Sequence, residues 1–426
     1  MPRPESAPVD VVDTLAGISP AEWNALAGGD PFLSHEFLSA LHETGCACPA
    51  TGWTPQFLLL KRDGRLAAAM PLYLKDHSYG EYVFDWGWAD AYNRHGLAYY
   101  PKLLSAIPFT PVAGSRLLAS ADADRDRLIA AALTLAKSLR VSSLHCLFPH
   151  RDEARRMGAH GMMQRHGVQF HWSNDGYAGF EDFLNALNHA KRKKIRQERR
   201  KVSDAGISFE WLEGGEITER EWGFFNRCYR QTYREHHSTP YLNLDFFLRI
   251  GRTMPGNIVL ILARRAGAPV AASLHVRCGG KLYGRYWGAV EYHPVLHFES
   301  CYYQAIEYCI AHGISTFEGG AQGEHKMARG LMPAETCSTH WLARPEFAQA
   351  IEQFLARESH GMARYVDELN ERSPFKRGDG AASCTRSKSR SASSARMNSS
   401  VTATLMLKLT SSPGVRFACT NSSTSG

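Results

Sequence analysis

The sequence predicts an α+β protein built from two tandem copies of one unit, each with a mixed sheet flanked by helices. Three observations lead to this prediction. Short motifs recur in the same order in the two halves, each half has a helix-then-hairpin succession, and the composition is that of a globular chain, with 44% hydrophobic and 21% charged residues. At 426 residues the chain is long enough for two or three domains with buried cores.

The first recurring motifs mark the start of a helix in each half. Ile18-Ser-Pro-Ala-Glu-Trp23 is echoed by Ile217-Thr-Glu-Arg-Glu-Trp222. In both, Ser or Thr is followed three residues later by Glu, which is the pattern of a helix capping box. The segments 31–38 and 240–247 then match each other, each with a proline first and an aromatic residue at its seventh position.

A hairpin pattern follows in each half. Residues 56–74 contain a Lys-Arg-Asp-Gly turn, and residues 258–277 contain Arg-Ala-Gly-Ala-Pro at the equivalent place. Tyr79-Gly-Glu-Tyr82 and Tyr283-Gly-Arg-Tyr286 come next at similar offsets. Because chance recurrence of helix and hairpin would not reproduce these paired motifs in order, we favour a duplicated unit.

The second unit shows its element order most clearly. Apolar patterns predict strands near 258–264, 269–277 and 281–289, then a helix over 298–312 and a short strand, ISTFEGG. This order of three strands, a helix and a strand is the core of the GNAT acyltransferase fold, and a helix near 122–140 followed by a strand at 142–148 repeats it. The predicted boundaries are 1–150 for the first unit, 151–178 for a connector and 179–375 for the second unit.

Composition and charge exclude several classes of protein. No apolar run reaches the roughly 18 residues of a membrane span, and the N-terminus lacks the apolar region of a signal peptide. The ten cysteines are scattered, which favours a reduced, cytoplasmic location. Histidines and cysteines show no metal-site spacing, so no metal is expected.

The net charge of +7 is unevenly placed, and part of it lies in the tail. Residues 376–426 are rich in Ser and Arg without helical or strand periodicity, which predicts disorder. A shifted reading frame is a sharper hypothesis for the same residues, because the preceding Glu-Arg-Ser-Pro-Phe-Lys resembles a natural domain end.

The most basic stretch, residues 190–202, has eight Lys or Arg within eleven positions. Plotted as one helix over 180–202, it forms an apolar stripe with Lys191 in its middle and Lys194 at its edge. Glu198, also on the stripe, is an i+4 partner for Lys194. A lysine directed toward the protein body needs an anion near its ammonium group. Other cations of the run point elsewhere: Arg192, Lys193, Arg196, Arg199 and Arg200.

Several motifs together resemble one bacterial family, the FemAB-like proteins of the GNAT superfamily, over roughly residues 12–376. These motifs are PFLSHEFLSALHETG, MPLYLKDHSYGEYVFDWGWADAYNRHG, YYPKLLSAIPFTPV, KKIRQERRKV, STPYLNLDFFLRIG, LYGRYWGA and FEGGAQGEHKMARG. The resemblance implies tandem GNAT units and transfer of an acyl or aminoacyl group to an amine of a cell-wall peptide precursor. It also implies that the basic helix lies beside the substrate groove, and so an anion-binding role for Lys191, Lys194 and Arg196.

The segment 317–330 carries most of the candidate chemistry. Amide formation needs a base for the attacking amine and donors for the carbonyl oxygen as it becomes anionic. Glu318, Glu324 and His325 are candidate proton acceptors. Glu299, in the first turn of the predicted helix 298–312, is a fourth candidate. Candidate substrate-binding residues in the segment are Gly320, Gln322, Lys326 and Arg329. An ordinary Gly-rich loop with surface charges would show the same composition.

In the first unit, DWGWADAY interleaves carboxylates with aromatic rings and suits either a substrate groove or a packed seam between domains. Its candidates are Asp85, Trp86, Asp90 and Tyr92. The Tyr-Gly-Arg-Tyr motif of the second unit adds Arg285.

The donor stays open between acyl-CoA and aminoacyl-tRNA. Many acetyl-CoA-dependent GNAT proteins hold the pyrophosphate with a Gly-rich loop before the helix. Residues 289–298 occupy that place without a glycine.

We expect an N-acyltransferase acting on a small-molecule or peptide-precursor substrate, with tRNA as a partner if it is the donor, and neither DNA binding nor stable membrane insertion. Two alternatives stay open. One is a catalytically inactive GNAT-fold protein that binds a phosphate-bearing ligand. The other is a nucleic-acid-binding protein that uses the 191–201 run.

Overall fold

A computed structural model of the chain describes residues 8–321 and 323–376. Its strands are β1 (Val9–Val12), β2 (Trp53–Pro55), β3 (Phe57–Arg62), β4 (Arg65–Met70), β5 (Tyr73–Lys75), β6 (Lys102–Ser105), β7 (Leu118–Ala119), β8 (Ser143–Leu147), β9 (Met163–Ser173), β10 (Ile207–Glu213), β11 (Ile258–Arg265), β12 (Ala268–Cys278), β13 (Lys281–Ala289), β14 (Thr316–Glu318) and β15 (Met332–Leu342).

The helices flank these strands. They are α1 (Pro20–Ala27), α2 (His35–Glu43), α3 (Trp86–Arg94), α4 (Asp122–Ser138), α5 (Arg151–Ala159), α6 (Phe180–Ala186), α7 (His189–Asp204), α8 (Glu219–Glu235), α9 (Leu244–Thr253), α10 (Leu296–Phe298), α11 (Gln304–Ala311) and α12 (Pro345–Glu371). A π-helical turn, Glu299–Tyr303, joins α10 to α11.

The predicted fold class is confirmed. Both units have two helices after their first strand, then antiparallel strands, a helix and a strand that pairs in parallel. The parallel pairs are β6 with β8 and β13 with β14, each over three residues. The paired capping motifs are also present, since Ser19 and Thr218 cap α1 and α8.

The first unit differs from the second where its sheet divides. The long strand β12 continues past the point where β13 bulges at Arg285, whereas the first unit has two short strands, β4 and β5, separated at Pro71. Proline has no N–H to donate to a ladder, so pairing stops there. A small sheet in the order β1-β3-β4-β7 therefore stands apart from an 11-stranded sheet.

The large sheet runs through both units because they exchange strands. Its order is β10-β11-β12-β13-β14-β9-β15-β8-β6-β5-β2. The segment 151–178, expected as a connector, contributes α5 and β9, and β9 pairs with β14 of the second unit. Reciprocally, β15 of the second unit, which comes after β14 in the chain, pairs with β8 of the first. The two long strands β9 and β15 pair with each other across the junction.

The second unit's part of the sheet has two differently covered faces. Leu282 and Phe317 face one core together with the buried Ile195 of α7. Tyr283, on the opposite face, belongs to a second core that includes Phe37 of α2 and Phe246 of α9. The first and second units therefore meet on the Tyr283 face, and the basic helix packs on the other.

The prediction of a single helix over 180–202 is wrong. The chain forms α6 and then α7, with a break at Leu187 and Asn188, because the Asn188 side chain accepts the backbone N–H of Lys191 and caps a new helix. The stripe that placed Lys191 inward therefore does not exist as drawn. The predicted tail, 376–426, lies outside the described residues except for Lys376.

A buried charge network ties α3 to the first unit's sheet. Lys102 of β6 is fully buried, and its Nζ donates to Asp85, to Ser78 Oγ at 2.7 Å and to Glu81 Oε2 at 2.8 Å. Burial alone would raise the pKa of Asp85, but the Lys102 charge outweighs it and holds that pKa below its usual value. Burial raises the pKa of Glu81 to about 7.

The same network reaches β15. Tyr99 donates to Asp85 at 2.7 Å and lies 3.0 Å from His145 Nε2 on β8. His145 Nδ1 is 2.7 Å from His340 Nδ1 on β15, so one proton is shared between the two rings. A polar chain thus fixes the register between a first-unit strand and the exchanged strand.

We predict that Lys102→Met lowers the free energy of unfolding by about 3–5 kcal/mol, because a buried Asp85 carboxylate loses its partner. The midpoint of urea unfolding measures this. Lys137→Met, at an exposed position of α4, is the matched control and should change stability by no more than about 0.5 kcal/mol. Equal effects of the two substitutions would contradict the assigned role of Lys102.

Candidate active site

A buried carboxylate stands where the parallel pair of the second unit ends. Glu318 is the last residue of β14, paired with Tyr283 of β13 on one side and His171 of β9 on the other. Because paired residues of neighbouring strands point to the same face, all three side chains lie on the face where the two units meet. Glu318 is only 4% exposed.

The electrostatics of Glu318 suit a proton acceptor. Its Oε1 lies 3.4 Å from Lys281 Nζ, and its Oε2 lies 3.8 Å from His171 Nε2. Among the described residues Oε2 has no hydrogen-bond partner. Burial raises the pKa of Glu318, and the neighbouring Lys281 opposes the increase only in part. A carboxylate with a raised pKa is a stronger base, and an amine N–H would satisfy its free oxygen.

His171 beside it is uncharged at neutral pH. Burial lowers its pKa to about 4, with the charges of Lys281 and Lys326 acting in the same direction. Its Nε2 is also 3.3 Å from Gln169 Oε1, and Gln169 in turn donates to the Pro111 carbonyl at 2.8 Å. The first unit therefore supports this side of the site.

Arg285 lies two residues beyond Tyr283 on the same face of β13. Its Nη2 donates to the Phe109 carbonyl at 2.7 Å, and its guanidinium carbon is 5.6 Å from the Phe32 ring centroid and 5.2 Å from that of Tyr286. Its charge also opposes the raised pKa of Glu318. Within the described chain no carboxylate forms an ion pair with it.

Past Tyr283 and Glu318 the two parallel strands no longer pair, and we call this region the β13–β14 opening. Gly320 turns the chain beside it with φ of +81°, and a Cβ there would lie 3.5 Å from the Gly284 carbonyl oxygen. Lys326 holds the turn, since its Nζ donates to the carbonyls of Gly320 at 2.9 Å and Ala321 at 3.2 Å. Burial lowers the pKa of Lys326 to about 7.

The corresponding place in the first unit is filled by its own chain. Beyond the β6–β8 pairing, Gly114 N donates to the Phe148 carbonyl at 3.0 Å. The fully buried Arg116 donates to the Leu147 carbonyl at 2.9 Å and to the Val112 carbonyl at 2.8 Å. The backbone next to β8 is thus already hydrogen-bonded, so the opening of the second unit is the better candidate for a ligand.

The other predicted proton acceptors lie apart from Glu318 in their contacts. Glu324 is exposed, accepts from Tyr365 at 2.5 Å and pairs with Arg372 of the C-terminal region at 3.4 Å. Partial desolvation and the charges of Arg329 and Lys326 lower the pKa of the otherwise exposed His325 to about 4, and its Nε2 is 3.3 Å from the Tyr302 hydroxyl.

Glu299 begins the π-helical turn. Its Oε1 lies 3.1 Å from Arg199 Nε and accepts from Gln304 at 2.9 Å. Burial raises its pKa. Arg199, expected to point away from the body, is the residue of α7 that reaches this carboxylate.

The predicted anion-binding residues of α7 are not brought to Glu318. Lys194 and Arg196 are exposed and Lys191 is half-buried, on the helix layer that covers the opposite face of the sheet. Arg196 pairs with Glu181 at 2.5 Å.

The predicted partnership of Glu198 with Lys194 is wrong. Glu198 is buried, accepts from the Tyr303 hydroxyl and pairs with Arg329 at 3.2 Å. Because Glu198 is its ion-pair partner, the charge of Arg329 is already compensated. The Arg329 guanidinium also lies 3.4 Å from the Phe298 ring centroid. Gln322 lies outside the described residues.

The DWGWADAY residues form a packed seam. Asp85 belongs to the Lys102 network, and Tyr92 is buried in a cluster with Leu355 of α12. Trp86 contacts Tyr79, and Asp90 pairs with Arg94 on the surface.

Sequence reasoning missed His171 and Lys281. Lys281 could have been found, because it begins the predicted strand 281–289. Residues i and i+2 of a strand share a face, so Lys281 was expected on the same face as Tyr283. His171 gave no such signal because it came from the expected connector.

Residues 8–321 and 323–376 contain neither a cluster of metal-ligating side chains nor a membrane-spanning helix. No group of three or more His, Cys, Asp or Glu side chains there is arranged to hold a metal ion. No helix of residues 8–321 and 323–376 combines the length and apolarity of a bilayer span.

The strand order, the two parallel pairs and the buried carboxylate at the end of one of them define a tandem GNAT-fold protein. The chain belongs to the FemAB-like family, described as peptidoglycan biosynthesis/recognition, whose model matches residues 14–377. At the level of the family this supports acyl or aminoacyl transfer on a cell-wall-related substrate. A search of the curated proteins found no match.

Solved structures align over most of the chain, and that of FemX shows a shared fold. The crystal structure of FemX is 14% identical, with 79% of this chain and 98% of FemX covered and a TM-score of 0.50. The C-terminal domain of a putative lysylphosphatidylglycerol synthetase from Agrobacterium fabrum is 9% identical, with 80% of this chain and 97% of that domain covered and a TM-score of 0.49. A tandem GNAT protein from the clavulanic acid biosynthesis pathway is 12% identical, with 79% of this chain and 99% of that protein covered and a TM-score of 0.41. At such identities the likeness concerns the fold alone.

We predict that Glu318→Gln raises the melting temperature by about 2 °C at pH 8, because it removes a buried charge. The raised folded-state pKa means that ionisation destabilises the fold above that pKa. The gain should therefore shrink as pH falls through the folded-state pKa and vanish once Glu318 is protonated in both folded and unfolded chains. Thermal melts at several pH values measure it.

Glu352→Gln, on the exposed side of α12, is the control and should leave the melting temperature unchanged at each pH. A Glu318→Gln variant that melts lower than wild type at pH 8 would contradict the direction given for the Glu318 pKa.

Proposed function

We propose that the chain transfers an acyl or aminoacyl group to an amine by direct attack, with the reaction centred on Glu318 at the β13–β14 opening. The observation that carries this proposal is the position of Glu318, a buried carboxylate with a raised pKa and an unpartnered Oε2, at the end of the β13–β14 pairing. Glu299 also has a raised pKa and an unpartnered Oε2, but it lies on the π-helical turn and pairs with Arg199. The family supports the reaction class. The filled opening of the first unit supports a single reaction centre.

Glu318 takes a proton from the acceptor amine as its nitrogen attacks the carbonyl carbon of an activated ester or thioester. A C–N bond forms, and the carbonyl oxygen gains negative charge. The intermediate collapses by breaking the bond to the alcohol or thiol leaving group, which receives the proton held by Glu318, so that the carboxylate is regenerated. Lys326 is held at the loop by two carbonyls, and in its ammonium form it has a third N–H that suits stabilisation of the oxyanion.

The donor is proposed only as an activated acyl or aminoacyl group. Before α10, where a glycine-rich loop would hold a pyrophosphate, the chain enters the helix through Val295 with φ of +61°. Side chains line the adjoining cavity of about 280 Å³, including Trp287, Tyr292 and His297. This lining differs from a bare backbone cradle and does not favour acetyl-CoA over an aminoacyl ester.

We predict that Glu318→Gln lowers kcat by about 10²–10⁴-fold, because it removes the general base. In wild type, kcat should fall as pH decreases, with a midpoint above the ordinary Glu value of 4.5, since the Glu318 pKa is raised. Rates of amide formation across pH 5–9 measure both effects.

Glu324→Gln is the matched control within the same loop and should retain turnover, because Glu324 pairs with Arg372 at the surface. Unchanged turnover in Glu318→Gln would overturn the proposal. Ligand binding without any amide product would instead favour an inactive binding protein.

A second candidate function rests on α7. Lys191, Lys193 and Lys194 form no ion pair within the described chain, and neither do Arg200 and Lys201 near its end. This unpaired basic face suits phosphate groups of a nucleic acid. If it binds one, log K should fall linearly with log salt, by about 0.7–0.9 per phosphate contact. Binding of a labelled RNA between 50 and 200 mM salt measures the slope, and Lys193→Gln with Arg200→Gln should reduce it.

A further inference from the structure

We propose that Arg285 binds a carboxylate carried by the acceptor, so that the acceptor is an amine with a free carboxylate several bonds away. This inference rests on the proposed function, in which Glu318 receives the proton of that amine. It names the acceptor class, which the fold and the family leave open.

The first argument is the uncompensated charge of Arg285. It is half-buried, yet no Asp or Glu of the described residues lies within ion-pair distance. The neighbouring cation, Lys281, is matched by Glu318 at 3.4 Å. The positive charge of the Arg285 guanidinium is therefore left without an ion-pair partner among the described residues. A carboxylate carries the single negative charge that balances it, whereas a phosphate monoester brings nearly two at neutral pH.

The second argument is the fixed geometry of the guanidinium. Phe32 and Tyr286 contact it as aromatic neighbours, and the Phe109 carbonyl accepts from Nη2. The Tyr286 hydroxyl donates to the same carbonyl at 3.2 Å. These contacts hold the planar group in place and occupy only part of its five N–H donors. A planar guanidinium held this way matches the two oxygens of a carboxylate.

The third argument is the spacing along β13. Arg285 is the extra residue of a bulge in β13, and the contacts of Tyr283 and Arg285 with the Phe32 ring place both side chains on one face. Two residues of a strand span about 6.6 Å, and Glu318 pairs with Tyr283. The ε-amine and the carboxylate of lysine span a comparable distance. An amine at Glu318 and a carboxylate at Arg285 therefore belong on one small molecule or one peptide residue.

Two probes test the inference directly. Nα-acetyl-L-lysine and Nα-acetyl-L-lysinamide share the ε-amine, and only the first has a carboxylate. NMR-detected titration of each into the full-length protein gives two Kd values. Wild type should bind the carboxylate probe about tenfold more tightly, as expected for a hydrogen-bonded charge pair.

Arg285→Gln should reduce this preference to about onefold and leave the Kd of the amide probe unchanged. Arg285→Lys, which keeps the charge and loses the fork, should give an intermediate preference. Arg252→Gln, at an exposed position of α9, is the control and should retain the wild-type preference. Thermal melts confirm that each variant is folded.

The outcomes separate the two proposals. A tenfold preference that persists in Arg285→Gln, no preference in wild type, or no binding of either probe would overturn the carboxylate anchor. Glu318→Gln should keep the preference, because it acts on the amine. A Glu318→Gln variant with full turnover but a preserved Arg285-dependent preference would overturn the proposed base and leave the anchor standing.

Discussion

The reciprocal exchange of β9 and β15 is the constraint on which the rest of this structure depends. Each strand leaves the unit that precedes it in the chain and completes the sheet of the other. Their mutual pairing makes one continuous sheet from two copies of a smaller fold. The exchange also places His171 beside Glu318, so the candidate site exists only in the assembled pair of units.

The two copies have diverged in how they use the same parallel pair. In the first unit, Arg116 and the chain around it satisfy the backbone beyond β8. The residues just before Arg116 also contact the neighbouring strands. The Phe109 carbonyl accepts from Arg285 of β13, and the Pro111 carbonyl accepts from Gln169 of β9. One copy thus acts as a scaffold, and the other keeps an opening with a carboxylate beside it.

Much of the fold was predictable because local patterns determine it. The capping motifs, the hairpins and the strand–helix–strand order gave the duplicated architecture and placed Glu318 at a strand end. Pairing between distant strands left no local signal, so the environment of His171 was missed. The helix break was readable in principle, since Asn188 is a common capping residue, but the charges that follow it drew attention instead. The partner of Glu198, the distant Arg329, was equally hidden from sequence spacing.

The exchanged strand β15 has a consequence for how the chain is made. His145 and His340 are neighbours in the sheet but are separated by 195 positions. On the ribosome, the edge of β8 that pairs with β15 therefore stays unpaired until residues 332–342 have emerged. An open strand edge invites wrong pairing. Completion of the first unit's sheet is thus tied to the synthesis of β15 rather than proceeding unit by unit as in ordinary multidomain chains.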